Sequence, residues 1–327
     1  MPLYVPPQPA PVTIGRRTIV PLIDAAGDVL PPERLFPGLP ASDLARLLAA
    51  DGMREPMVVT GFAIVGAGTT ILVDTCLGGR KQGRNGPFPG FTSRWMTTLA
   101  EAGIDPAAVD TVVNTHLHHD HVGWNTTDTL RPAFPAARYL LAEAEYGRLA
   151  DGGIRHAERI AQCVHPVEKA GQLDLVAGAH RIDDGVRLVP APGHTPGHLI
   201  VEITDEGRTA VIAGDLLHHP LQLTRPDISS SFCDDPEQAA ESRHRVLADL
   251  AARTGVLLAA HLPRAGEIHR RGGGFALQEA SSRSVRPPGP PEAVARRPAE
   301  PARRNPAGPA GPRVRGAQAD GADGRSA

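Results

Sequence analysis

The stretch Thr115-His116-Leu117-His118-His119-Asp120-His121 decides how this chain is read. Its H-x-H-x-D-H spacing gathers imidazoles and a carboxylate within six residues, with His119 as an additional ring. Immediately upstream, Thr111-Val112-Val113 is β-branched throughout and mostly apolar, the mark of a buried strand that delivers its polar end to a loop. Metal ligation needs neutral imidazoles and a carboxylate converging from a rigid edge, and a strand end supplies one. On a turning loop His116 and His118 can face one ion while Asp120 and His121 turn toward a second. Short His-rich tracts are themselves a metal-binding signal.

Upstream of this stretch, Thr13 to Ile23 reads as an early strand with a turn at Ala26-Gly27-Asp28, and Ala41-Ser42-Asp43 caps a helix to about Ala50 with Leu44, Leu47 and Leu48 on one face. Met57 to Val65 and Thr69 to Val73 form a hairpin over Gly66-Ala67-Gly68. The second strand opens at Asp74 into a Gly-rich loop, where a carboxylate can support ligands from behind. Ser93 to Ala102 reads as a helix with Trp95, Leu99 and Ala102 inward, stopped at Gly103. Downstream, Ala137 to Leu141 predicts a strand, and Ala142 to Leu149 and Arg155 to Val164 predict helices. Val186 to Val189, His198 to Ile203 and Thr209 to Ala213 predict further strands. Asp235-Pro236 starts a helix running to about Arg253 and stopped by Gly255. Val256 to Ala260 is a short strand ending at His261, and a last hairpin spans Gly272-Gly273-Gly274.

Three more metal-capable residues stand at the ends of apolar runs: His194 after Leu188-Val189, Asp215 after Val211-Ile212-Ala213-Gly214, and His261 after Leu257-Leu258-Ala259-Ala260. The carboxyl ends of strands are where α/β folds place their chemistry. A single such residue is ordinarily a loop histidine or a turn aspartate. Agreement among four strand ends is a constellation. In the order HxHxDH, PGHTPGH, AGD, AHLP it resembles the metallo-β-lactamase superfamily of hydrolases over roughly residues 13–278. The resemblance implies an α/β fold, a four-layer αββα sandwich with a two-metal site at one edge of its sheets. It further implies that His116, His118 and His194 hold one metal, that Asp120, His121 and His261 hold the other, and that Asp215 bridges both. Asp74, in LVDT, matches the aspartate that the family places behind its ligands. The family pattern has Gly where this chain has Cys76, which brings a thiol toward the metals.

Two divalent ions about 3.5–4 Å apart bring a bridging water toward neutral pKa, so hydroxide forms without a Ser or Cys nucleophile. Asp120 can both ligate and orient it. Imidazole with carboxylate suits Zn²⁺ best, leaving Mn²⁺, Fe and Co²⁺ open. Asp215 stands where β-lactamases of two subclasses carry Cys, which argues against them. Glyoxalase II enzymes use a basic C-terminal helical segment, and here a short hairpin follows His261. The stretches HVGWN, GDLLHHPLQ and RRGGGF look most like the branch of methyl parathion hydrolase and N-acyl homoserine lactonases. Those lactonases place a catalytic Tyr three residues after the bridging Asp, where this chain has His218, making His218 the candidate donor to the leaving oxygen and His219 the runner-up. Phe88, Phe91, Trp95 and Trp124 are candidate pocket-lining aromatics. The expected activity is hydrolysis of a neutral ester: a lactone, carboxyl ester or phosphotriester. The competing classes are a one-iron oxidoreductase on the same fold and a metal-binding module without catalysis.

The 327 residues allow one large domain or two small ones; the composition changes after about Ala280, so 1–280 is the domain to which the resemblance assigns hydrolase activity. From 281 to 327 the chain is Pro, Gly, Ala and Arg with almost no large apolar residue, which predicts a disordered tail. A net charge of -2 gives no reason to expect nucleic acid, and no run approaches the ~18 apolar residues of a membrane span. The N-terminus shows no secretory pattern, and Cys76, Cys163 and Cys233 read as free thiols of a reducing, cytoplasmic setting. The expected partner is a small-molecule substrate, with a homodimer left open.

Overall fold

Alternation along the strands sorts the apolar side chains into three layers. In the computed structural model, which describes residues 3–28, 30–51, 56–79 and 91–279, two seven-stranded sheets stack face to face. The first follows chain order: β1 (Val12–Ile14), β2 (Arg17–Gly27), β3 (Met57–Gly66), β4 (Thr69–Val73), β5 (Thr111–Val113), β6 (Arg138–Ala142) and β7 (Leu173–Val176). The second runs, from one edge to the other, β8 (His180–Arg181), β9 (Val186–Pro190), β10 (Leu199–Asp205), β11 (Arg208–Ile212), β12 (Val256–Leu258), β13 (Gly266–Arg271) and β14 (Gly274–Gln278). The helices are α1 (Pro32–Leu35), α2 (Ala41–Asp51), α3 (Trp95–Glu101), α4 (His119–Val122), α5 (Glu143–Ala150), α6 (Ala157–Lys169), α7 (Leu221–Thr224) and α8 (Pro236–Arg253).

Successive strand residues point to opposite faces. Ile71 and Val73 of β4 and Val113 of β5 therefore meet Ala210 and Ile212 of β11 and Val256 and Leu258 of β12 between the sheets. Leu72 and Val112 point the other way, onto Trp95 and Leu99 of α3 and Val167 of α6. Val211 and Leu257 likewise back onto Val246, Leu247 and Leu250 of α8. Helix, sheet, sheet, helix is the expected αββα sandwich.

Strand direction places the chemistry. β4, β5 and β6 pair in parallel, as do β11 and β12, while β9 joins β10 and β10 joins β11 antiparallel. The carboxyl ends of β4, β5, β9, β11 and β12 thus share one edge of the sandwich, followed in turn by Asp74, the His116 loop, the His194 loop, Asp215 and His261. The sheets are stitched there by backbone bonds from Leu199 N to Thr115 O (2.8 Å) and from Thr60 N to Ala260 O (3.0 Å).

Several local expectations change. The early strand is a hairpin: Gly15, at φ +56°, turns β1 into β2, and β2 runs on through the predicted turn to Gly27. Ala102 is exposed rather than inward. α6 continues past Val164 through Pro166. A proline there leaves the carbonyl four residues back without its helical donor, and the Thr126 hydroxyl donates to that Gln162 oxygen at 2.9 Å instead. β7 and β8 were not anticipated. Thr254, in the left-handed region at φ 50°, ends α8 one residue before Gly255. The predicted disordered tail, 281–327, lies outside the described residues. Among the described residues no helix is long and apolar enough to cross a membrane.

Candidate metal centre

All seven predicted ligands converge. His116 Nε2, His118 Nδ1 and His194 Nε2 form a triangle with sides of 2.9, 3.0 and 3.2 Å. A hydrogen bond needs one donor and one acceptor, so three ring nitrogens that all face each other leave at least one like pair in contact. Around a tetrahedral ion with nitrogen bonds of about 2.0–2.1 Å, ligand nitrogens lie about 3.3 Å apart, close to these sides. Asp215 joins this group, its Oδ2 lying 3.1 Å from His194 Nε2 and 3.7 Å from His116 Nε2.

The second group is Asp120, His121 and His261. Asp120 Oδ2 is 3.7 Å from His261 Nε2 and 3.9 Å from His121 Nε2. Asp215 turns its other oxygen here: Oδ1 stands 3.0 Å from His121 Nε2 and 3.1 Å from His261 Nε2. One carboxylate therefore reaches both groups with different oxygens, the arrangement expected of a bridge. Among the described residues, His121 Nε2, His218 Nε2 and Asp215 Oδ1 are buried without a well-directed hydrogen bond, although both ring nitrogens lie within 3.3 Å of an Asp215 oxygen. Buried polar atoms are rarely left so, and here they cluster around the Asp215 carboxylate. The donor set fits divalent cations.

Electrostatics agree. Burial holds His116 and His118 well below the usual imidazole range. Burial also opposes charge on His121, His194 and His261, yet Asp215 pulls all three upward, His194 to about 9. Asp215, despite its burial, sits well below the carboxylate range because His121, His261, His194 and His116 surround it. The cavity demands positive charge opposite Asp215, which protons or cations can supply, so metal entry would displace protons.

Groups behind the ligands fix their tautomers and direction. His121 Nδ1 meets Asp74 Oδ2 at 2.7 Å, and Asp74 also accepts from Thr115 N and Thr115 Oγ1, both at 2.8 Å. His261 Nδ1 donates to Val58 O at 2.7 Å, which directs Nε2 into the site. The expected support from Asp74 is thus present in the geometry. His198, read from sequence only as the start of a strand, donates from Nδ1 to Ala191 O (3.1 Å) and accepts at Nε2 from Asp215 N (3.0 Å). Gly214 makes that approach feasible: at φ +50°, a Cβ there would stand 2.8 Å from His198 Nε2. The second histidine of PGHTPGH was the available signal.

His218 is buried, with Nε2 3.3 Å from Asp215 Oδ2 and Nδ1 3.2 Å from Ser230 Oγ. It also forms a third possible donor group with Asp215 and His261. Burial pushes its pKa down to about 3, so the ring is neutral. His219, the runner-up, instead takes the Leu221 N–H on Nδ1 and sits edge-on to Phe36. Cys76 does not join the donors: it is buried at φ 51° with its Sγ 3.9 Å from Leu22 O, packed beside Trp95 behind the first sheet. Trp95 belongs to that same core, donating to Leu22 O, and Phe91 and Trp124 pack against it. Phe88 lies outside the described residues. Among the described residues, Phe232 brings an aromatic ring against His218, with centroids 5.4 Å apart. His119, the extra histidine, belongs to neither donor group: its ring faces His156 edge-on at 6.4 Å, with Nδ1 3.7 Å from Asp120 Oδ1.

Comparison with known proteins places this geometry. The family model described as the metallo-beta-lactamase superfamily matches residues 54–261. An N-acyl homoserine lactonase of a Bacillus species is 28% identical over 116 residues, 35% of this chain and 41% of that protein. A hydroxyacylglutathione hydrolase of a Synechococcus species is 29% identical over 129 residues, covering 39% of this chain and 42% of that protein. The chain thus spans about two fifths of the length of these curated relatives. Among solved structures, the hydrolase AbOPH of the beta-lactamase superfamily superposes with a TM-score of 0.72 at 22% identity, over 84% of this chain and 97% of that one. AidC, a dizinc quorum-quenching lactonase, gives 0.69 at 21% identity, over 83% and 97%.

Proposed function

The chain belongs to the metallo-beta-lactamase superfamily, and from that premise we propose that it is a dinuclear metal-dependent hydrolase of neutral esters: lactones, aryl carboxyl esters or phosphotriesters. The observation that carries the reading is Asp215 reaching two complete donor groups with its two oxygens. His116, His118 and His194 would hold one ion and Asp120, His121 and His261 the other, Zn²⁺ being the best match to these donors. Two such ions supply water activation near neutral pH and polarisation of the scissile group.

The chain's own residues do the rest. Asp120, half-buried at the rim, is placed to orient the attacking water. His218 is neutral, and the Ser230 hydroxyl can donate to its Nδ1, which leaves an N–H on Nε2 directed at the site. That N–H stabilises charge developing on the leaving oxygen. The lactonase relative and the dizinc lactonase neighbour support the ester class. The hydroxyacylglutathione hydrolase relative makes thioesters the comparison to run. Purified protein is assayed side by side on acyl homoserine lactones, aryl esters, phosphotriesters, glutathione thioesters and β-lactams, with metal content measured by elemental analysis. Two metals per chain with turnover of one or more neutral esters is the expected result. A single metal not raised by added Zn²⁺ or Mn²⁺ rules out the dinuclear reading. Efficient β-lactam or thioester turnover without esterase activity rules out the substrate class.

A further inference from the structure

Glu145 is wholly buried in the first turn of α5, a position where acidic side chains ordinarily face water. Its two oxygens are shared between two loops. Oε2 accepts from Leu117 N at 3.0 Å, the residue between His116 and His118. Oε1 accepts from Gly197 N at 2.9 Å, in the loop that carries His194. The first loop follows β5 of one sheet and the second links β9 to β10 of the other. Gly197 lets the backbone come this close, since a Cβ there would lie 2.8 Å from Glu145 Cγ. One turn on, Arg148 Nη1 approaches Glu145 Oε1 at 3.9 Å, and Arg148 Nη2 binds Asp234 Oδ2 at 2.7 Å. Asp234 N in turn donates to His194 O at 3.0 Å.

We propose that Glu145 is a positioning residue of the metal centre, fixing the distance between the His116/His118 loop and the His194 loop so that three imidazoles from two sheets can share one ion. The inference rests on the dinuclear reading above. A buried carboxylate is costly to desolvate, and it persists where its hydrogen bonds are all made. Two backbone N–H donors and a nearby guanidinium meet that condition. The N–H groups it takes are not those of a helix end or a sheet ladder. They belong to two loops joined nearby by one backbone bond, Leu199 N to Thr115 O at 2.8 Å, two residues from each of these amides. The carboxylate extends that tie to Leu117 and Gly197, within the ligand-bearing loops. A glutamine keeps the shape but turns an amide N–H₂ toward one of the two backbone donors, releasing one loop.

The test is metal affinity, read by chelator competition and by the visible spectrum of the Co²⁺-loaded protein, for wild type, Glu145→Gln and Glu202→Gln. Glu202, on β10, is also a largely buried carboxylate, paired with Arg187 and remote from both loops. Expected is a loss of roughly tenfold to a hundredfold in affinity for one of the two ions in Glu145→Gln, with an altered Co²⁺ spectrum, the usual scale for groups that orient ligands. Glu202→Gln should leave affinity and spectrum unchanged whatever it does to melting. If Glu145→Gln does not fold, Gly197→Ala displaces the carboxylate while retaining it and should produce the same selective loss. Wild-type affinity for both ions in the folded Glu145 or Gly197 variant overturns the inference and leaves the dinuclear reading standing. Failure of the wild type to bind two ions removes both.

Discussion

Asp215 carries more of the site than any other side chain, because each of its oxygens belongs to a different donor group. Asp215→Ala should therefore reduce metal content well below two per chain and abolish hydrolysis together, by elemental analysis and assay of the same preparation. Full metal occupancy in that variant would show that the histidines suffice and that Asp215 is no bridge. His218 tests a subtler point. With its pKa near 3 it has no imidazolium to offer at neutral pH, so the proposed donor role would fall to a neutral N–H oriented by Ser230. His218→Gln should slow esters with poor leaving groups by roughly a hundredfold while barely changing activated aryl esters. Equal losses for both would end the donor role. The seven converging donors were legible because each is a chemically conspicuous residue after an apolar run. Their supports were not. The tie from His198 to the Asp215 backbone depends on how two distant strands adjoin, and a glutamate at the start of a helix looks in sequence like any solvated acid.

Strands and helices were readable wherever one face is apolar and the ends carry punctuation. α8 begins at Pro236, as Asp235-Pro236 predicts, with the Asp235 side chain accepting from Gln238 N. The hairpins β3–β4 and β13–β14 follow their glycines. β7 escaped because it is a four-residue edge strand with a single buried position, so no alternation marks it. Asp24 shows how an element can be joined to the site region invisibly. It lies buried in β2, where it accepts from Leu77 N (3.2 Å) in the loop beyond Asp74 and from Ser93 Oγ (2.7 Å), which itself receives the Trp124 indole N–H. Burial raises its pKa to about 6 although those hydrogen bonds pull the other way. The native state then holds this proton more tightly than the unfolded chain. The stabilisation is full below about pH 4 and is lost as pH rises through about 6, amounting to about 3 kcal/mol. Melting curves between pH 4 and 7 should show Asp24→Asn lacking that decline relative to wild type. Parallel pH profiles would mean that Asp24 is solvated and titrates normally.

Across the whole molecule, neither sheet owns a complete centre. The loops after β5 supply His116, His118, Asp120 and His121, and the second sheet supplies His194, Asp215 and His261. Bound ions would therefore be cross-links between two sheets that also meet through apolar packing, a few backbone bonds, the Glu145 carboxylate and, elsewhere, ion pairs such as Arg16–Asp205. The packing between the sheets is extensive and contains no metal donor, so the apo-protein should remain folded. It should nonetheless be weaker. Without cations the three facing ring nitrogens cannot all pair, and Asp215 must draw protons onto neighbouring histidines to balance its charge. Each ion present at about a thousandfold over its dissociation constant adds about 4 kcal/mol by mass action. In a domain of this size, two such ions correspond to roughly 15 °C in melting temperature. Chelation should lower the melting temperature by about that amount, reversibly on adding Zn²⁺, with far-ultraviolet circular dichroism nearly unchanged before melting. Hydrogen exchange should rise mainly at Leu117, Gly197, Leu199 and Thr60, whose amides stand at the junction of the sheets. An unchanged melting temperature would mean that the ions do not tie the sheets together, and loss of all secondary structure would mean that the apolar layer cannot hold the fold without them.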